Sequence, residues 1–148
     1  MKSYNLVKLF LSLISFFICI GAFIIFSQSE VSATDIHIVK LQAVMKENSE
    51  QLVVDPDVLT IGLKDIVIWV NQAPTDELKI SFEEGRKCQD VTSPSNHFNL
   101  NASCYVANWL WSDETASLKF NDVGTYKYQV QTRKGIVKDG KIIIVRNQ

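Results

Sequence analysis

The chain has 148 residues, with 15 basic and 16 acidic side chains, a formal net charge of -1, and 47% hydrophobic against 21% charged residues. That length and balance fit one globular domain rather than a disordered chain. A near-neutral charge supplies no basic field for nucleic acid, which argues against nucleic-acid binding.

The amino-terminal end differs in kind from the rest. Lys2 and Lys8 precede an uncharged apolar run from Leu9 to Phe26, followed by polar SQSE and then Val31-Ser32-Ala33. A basic start, an apolar core and small residues at a candidate cleavage site form the pattern of an export signal cut after Ala33. The run is longer than the usual signal core of about 7 to 15 residues and approaches the roughly 20 that span a bilayer. Two readings therefore stand, a cleaved signal peptide and an uncleaved hydrophobic helix that anchors the chain through residues 9–26. Under either, the positive end stays inside and everything after Glu30 is exported to a periplasmic or extracytoplasmic location. The second reading tethers it to the inner membrane. Bulky Phe17 and Ile18 ahead of Cys19 argue against a lipid anchor there. Residues 1–33 are thus the leader and 34–148 the exported domain, with 13 basic and 15 acidic side chains and a net charge of -2.

Two cysteines remain after the leader, Cys88 and Cys104. An even number in an oxidising compartment reads first as a disulfide, which would stabilise the fold by roughly 3 kcal/mol through loop closure. The competing reading is a pair of metal thiolates with His97 between them. It lacks the tight Cys-x-x-Cys spacing and the second histidine that metal sites use.

In chain order, Ile36 to Met45 reads as a first strand whose alternation shifts phase between Ile38 and Leu41, which predicts a bulge. His37 falls on the face opposite Ile36 and Ile38. Lys46 to Glu50 is a polar turn, Leu52 to Val54 a short apolar piece, and Pro56 marks a strand entry. In Ile66 to Asn71, IVIWVN, Val67 and Trp69 take one face and Ile66, Ile68 and Val70 the other. Leu78 to Phe82 alternates again. Residues 83–117 form a long insertion, and Glu83 to Asn101, rich in Ser and Asn with Gly85 and Pro94, predicts a loop closed by the disulfide. Asn101-Ala102-Ser103 matches a glycosylation acceptor.

If Tyr105 to Trp111 is extended, Tyr105, Ala107, Trp109 and Trp111 share one face. That face packs in the core, or it is an aromatic surface for a partner in which Tyr105, Trp109, Trp111 and His97 take part. Tyr126, Tyr128 and Val130 alternate with Lys127 and Gln129 as in a half-buried strand, expected beside Ile66 to Val70. A turn at Arg133-Lys134-Gly135 leads to the closing Ile142 to Val145. Short strands throughout predict an all-β fold, an antiparallel Greek-key sandwich or barrel. Enzymatic function is disfavoured: no nucleophile is paired with a base, no phosphate loop is present, and His97 near Ser95 and Asp90 is weak evidence of a cluster.

From Leu52 to Val145, the motifs D-I-V-I-W-V-N, L-K-I-S-F, F-x-x-x-G-T-Y-K-Y and G-K-I-I-I-V resemble, in that order, the cupredoxins, the plastocyanin- and azurin-type blue copper proteins. The resemblance implies a histidine where this chain has Leu78, a cysteine where it has Val130, and an axial methionine where it has Lys138. Gln131 to Lys134 offer no second histidine. Leucine and valine have no lone pair for copper and an ammonium is repelled by it. The expectation is a cupredoxin-like domain with degenerate ligands and no cofactor, a binding or structural module for another envelope protein. The alternative is a copper-handling or electron-transfer protein with a displaced site drawn from His97, His37, Met45 or reduced Cys88 and Cys104.

Overall fold

A computed structural model describes residues 34–82, 92–95, 97–101 and 104–146. The leader and Cys88 lie outside these described residues, and with them the expected cleavage site, hydrophobic helix and disulfide pairing. Among the described residues eleven strands form: β1 (Ile36–Lys46), β2 (Ser49–Asp55), β3 (Val58–Gly62), β4 (Ile66–Asn71), β5 (Leu78–Phe82), β6 (Thr92–Ser95), β7 (Phe98–Asn101), β8 (Cys104–Ala107), β9 (Thr115–Phe120), β10 (Gly124–Thr132) and β11 (Val137–Val145). They make two sheets, one in the order β2-β1-β4-β9-β6 and one in the order β3-β11-β10-β5-β8-β7.

The fold is all-β as expected, but its sheets are mixed rather than purely antiparallel. β1 runs parallel to β4 and β3 parallel to β11, each pair linked by chain that crosses over rather than by a hairpin. The remaining pairings between strands are antiparallel.

Alternation in β4 places Val67 and Trp69 fully in the core, with Ile66, Ile68 and Val70 on the outer face. β10 buries Tyr126, Tyr128, Val130 and Thr132 and turns Lys127 and Gln129 outward. The sequence reading expected these two strands side by side; they instead belong to opposite sheets. Their rings meet across the core, where Trp69 and Tyr128 stand edge to face with centroids 5.5 Å apart. Phe82 and Phe98 approach the same indole edge to face at 5.9 and 5.5 Å. Such pairs add about 0.5 to 1.5 kcal/mol beyond their buried area.

Two other expectations are corrected. β1 has no bulge: it pairs residue for residue with β4 from Ile36 to Leu41 and with β2 from Lys40 to Lys46. The apparent change of phase arises because Val39 and Leu41 are core while Ile36 and Ile38, 62% and 54% exposed, lie on the solvent face. The stretch 83–117 is also not one loop, since β6, β7 and β8 lie inside it and β9 begins in it. β6 escaped notice because, among the described residues, it is an edge strand paired with β9 alone, a position that tolerates Pro94. β1 and β2 are joined by a two-residue turn in which Glu47 and Asn48 both take positive φ, 49° and 62°, the backbone that suits a tight hairpin.

Candidate functional site

The end of the sandwich near Leu78 is where the family resemblance would bring copper ligands together. It is closed by protein. β4 ends at Asn71, β5 begins at Leu78, and the chain between them is pinned by the buried Asn71 side chain. Asn71 Nδ2 donates to the carbonyls of Asp76 and Leu110 at 2.8 and 2.9 Å, while Oδ1 accepts from Ala73 N at 2.8 Å. An amide can do this because it carries both donors and an acceptor. One side chain thus fixes the 71–78 segment against the chain beyond β8.

Leu110 enters the gap so created. Its N–H and carbonyl exchange hydrogen bonds with those of Leu78 at 2.8 and 3.0 Å, and both leucines are fully buried. Beside them lie Val130 and Thr132, also without exposure, with Thr132 opposite Leu78 and Val130 opposite Ile80 in the ladder. Thr132 then caps a tight turn: its N–H donates to Ile136 O at 3.0 Å, its Oγ1 accepts from Ile136 N at 3.1 Å, and its carbonyl accepts from Gly135 N at 3.0 Å. Gly135 takes a φ of 85°, a conformation that glycine adopts without steric penalty. The sequence between Val130 and Lys138 therefore forms the tip of a regular hairpin.

Lys138 stands opposite Val130 in register but is exposed. The structure thus brings Leu78 and Val130 into the closed end and leaves Lys138 outside it. The donor chemistry does not fit copper: alkyl side chains occupy the two positions where the resemblance implies ligands, and the Thr132 hydroxyl is engaged by the Ile136 amide. Among the described residues no three of His, Cys, Asp and Glu cluster in a way that could hold a metal ion.

The other metal candidates are dispersed. His37 Nε2 lies 3.0 Å from Asp65 Oδ2, and Asp65 sits at the start of β4, opposite the end that carries Asn71. Asp65 also accepts from Asp35 N at 3.1 Å and Gly62 N at 2.9 Å. Burial pushes the Asp65 carboxyl up, but the His37 hydrogen bond and these two amides outweigh it and hold the pKa below the usual value. Met45, 73% exposed, is eight positions from His37 along β1, or roughly 26 Å at about 3.3 Å per residue. His97 occupies the turn ahead of β7, at φ 63°, where its carbonyl accepts from Asn108 N at 3.0 Å. The two histidines and the methionine lie on different parts of the sandwich.

Around the closed end runs a charged and aromatic rim. Arg133 grips Glu77 with Nη2 and Nε at 2.6 and 2.8 Å and lies over the Trp109 ring, with its guanidinium carbon 4.1 Å from the centroid. Lys134 Nζ bridges Glu50 at 2.7 Å and Asp76 at 3.2 Å, and Glu50 and Asp76 raise its pKa. Trp111 is 63% exposed. It borders an open hollow of about 390 Å³ shared with Pro74, Glu77, Arg133 and Lys134.

Of the expected aromatic face, Tyr105 and Ala107 are buried in the core, 4% and 1% exposed, so Tyr105 is not a surface residue. β8 stops at Ala107 and the chain changes course to bring Leu110 inward, which puts Trp109 and Trp111 on either side of it and off the Tyr105 face. Cys104 is buried on β8, and its expected partner Cys88 is outside the described residues. The reading of residue types missed Leu110, Asn71 and Thr132. Only the Asn71 that closes the W-V-N motif carried a signal.

No protein-family model and no curated protein matches the sequence. Solved structures of amicyanin variants are similar to it. One in the Cu(I) form is 18% identical over 81% of this chain and 90% of that chain, with a TM-score of 0.48. An oxidised variant is 20% identical over 79% and 88%, with a TM-score of 0.46. At these identities and TM-scores the likeness carries no argument beyond the all-β sandwich already described.

Proposed function

We propose that this chain is an exported, copper-free cupredoxin-like module of the cell envelope that binds a partner protein and catalyses no reaction. The observation that carries this reading is the filling of the sandwich end by Leu78, Leu110, Val130 and Thr132, all without exposure. A trigonal copper centre needs a thiolate and two imidazoles, and these positions supply none. Strand ladder and apolar packing stand in their place.

The surface that remains at this end supports a binding role. Tryptophan and arginine dominate the energetics of protein interfaces, and here Trp109, Arg133 and Trp111 lie along one rim. The Glu77 carboxylate and the Trp109 ring hold Arg133 in place, which lowers the entropy lost when a partner docks. A Cys88–Cys104 disulfide belongs to this reading as the tie of the 83–104 segment.

A photo-crosslinking residue placed at Trp111 in the full-length chain, expressed in its own envelope, tests the proposal. A discrete crosslinked species is expected from position 111 and not from Lys127, which faces outward on β10. Equal crosslinking from the two positions, or none from Trp111, would contradict it.

A further inference from the structure

The outer face of the β2-β1-β4-β9-β6 sheet carries apolar side chains where solvent-facing strands normally carry polar ones. Parallel register sets Ile36 beside Ile66, Ile38 beside Ile68, and Lys40 beside Val70. Cross-strand partners point to the same side of a sheet, so these four isoleucines and Val70 form one continuous patch. Ile36 and Ile38 are more than half exposed, and Ile66, Ile68 and Val70 are half-buried. The described residues place no helix or loop over them.

Two observations identify what covers this patch. The first is charge. On this face the charged residues of β1, β2, β4 and β9 are Lys40, Lys46, Lys119 and Asp55, three cations against one anion. Lys119 pairs with Ile66 at one border and Lys40 with Val70 at another. An aliphatic surface edged by ammonium groups suits acyl chains below anionic headgroups. The second is position, under the reading in which the leader is retained as an anchor. Ile36 opens the first strand only ten residues after Phe26, the last residue of an uncharged 18-residue apolar run long enough to enter a bilayer. The strand end bearing Ile36 and Ile38 is therefore the part of the domain closest in the chain to that run.

From these we infer that the outer face of this sheet is a membrane-docking surface that lies on an anionic lipid bilayer, with Ile36, Ile38, Ile66 and Ile68 against the acyl boundary and Lys40 and Lys119 at the headgroups. It is separate from the Trp109–Arg133–Trp111 rim and does not depend on that rim's binding a protein.

The test uses the full-length chain in vesicles with brominated acyl chains, made of phosphatidylcholine alone or mixed with phosphatidylglycerol. A fluorescent amino acid is placed at Ile38 or, in a separate protein, at Lys127. Quenching at position 38 is expected to exceed that at 127 several-fold, to increase with phosphatidylglycerol, and to fall to the level of 127 in an Ile36→Glu variant. Ile36 is exposed, so that variant keeps its core, and its thermal unfolding is measured alongside. Equal quenching at the two positions overturns the inference. So does shielding of position 38 that depends on protein density rather than lipid composition, since that would make the patch a contact between copies of this chain.

Discussion

Leu78 and Leu110 exchange both of their backbone hydrogen bonds, at 3.0 and 2.8 Å, across the end of the sandwich. This isolated pair of rungs extends the β5 ladder past the end of β8 and places two leucine side chains at that end of the sandwich. Both are fully buried, so the closure is part of the hydrophobic core.

Truncation of this plug should therefore behave as a core mutation. Leu78→Ala is expected to destabilise the domain by about 2 to 5 kcal/mol, measured by denaturant unfolding. Leu78→His, which restores an imidazole, is expected to destabilise as well, because the buried ring finds alkyl neighbours and a hydroxyl already bonded to Ile136 N. A Leu78→Ala variant as stable as the parent would mean that the end is not packed as described.

A second test concerns the centre of the core. The Tyr128 ring lies against Gly140, where an added Cβ would overlap the ring carbons and the hydroxyl. Gly140→Ala is expected to cost about 1 to 3 kcal/mol through overpacking. Among the described residues the buried Tyr128 hydroxyl and Trp69 Nε1 find no hydrogen-bond partner of good geometry. Burial pushes the phenol up to about 12, against a smaller opposing influence of the neighbouring indole. Tyr128→Phe removes an unsatisfied polar atom, so stability should hold or rise by up to about 1 kcal/mol. Thermal melts of the two variants check both signs.

The opposite end gives a pH dependence. The Asp65 carboxyl is held below its ordinary value by His37 and the amides of Asp35 and Gly62, against burial. A carboxylate with a depressed folded pKa contributes stability that is fully present above the unfolded value of about 4 and is lost as pH falls through the folded value. The parent should lose stability on acidification below about pH 4, and Asp65→Asn should flatten that part of the profile. At neutral pH the variant should be weaker by about 1 to 3 kcal/mol, because two amides and an imidazole lose a charged acceptor. Unfolding free energies measured across pH for both proteins decide it. Parallel profiles would remove Asp65 from the account.

The periodic strands were legible in the sequence because burial there follows alternation: Val67 and Trp69 in β4, Leu78, Ile80 and Phe82 in β5, Tyr126 to Val130 in β10. The order of motifs also carried the all-β fold. What could not be read was set by tertiary contacts that leave no local pattern. Leu110 is inward because Asn71 and Leu78 capture its backbone, and nothing in Trp109-Leu110-Trp111 distinguishes the residue that turns in. The phase shift at Ile36 and Ile38 predicted a bulge because hydrophobicity names what can be buried and not which face is covered. Lys138 was counted as an axial position by its distance from Gly140, but it lies in the opening residues of β11, where 137–139 are all exposed.

Copper stoichiometry tests the central claim most directly. The folded, oxidised chain is loaded with copper, stripped of excess by desalting, and measured for metal content by mass spectrometry and for visible absorbance. A filled ligand end predicts only trace metal and a colourless protein. One tightly held copper ion per molecule, with an intense visible band, would contradict the account.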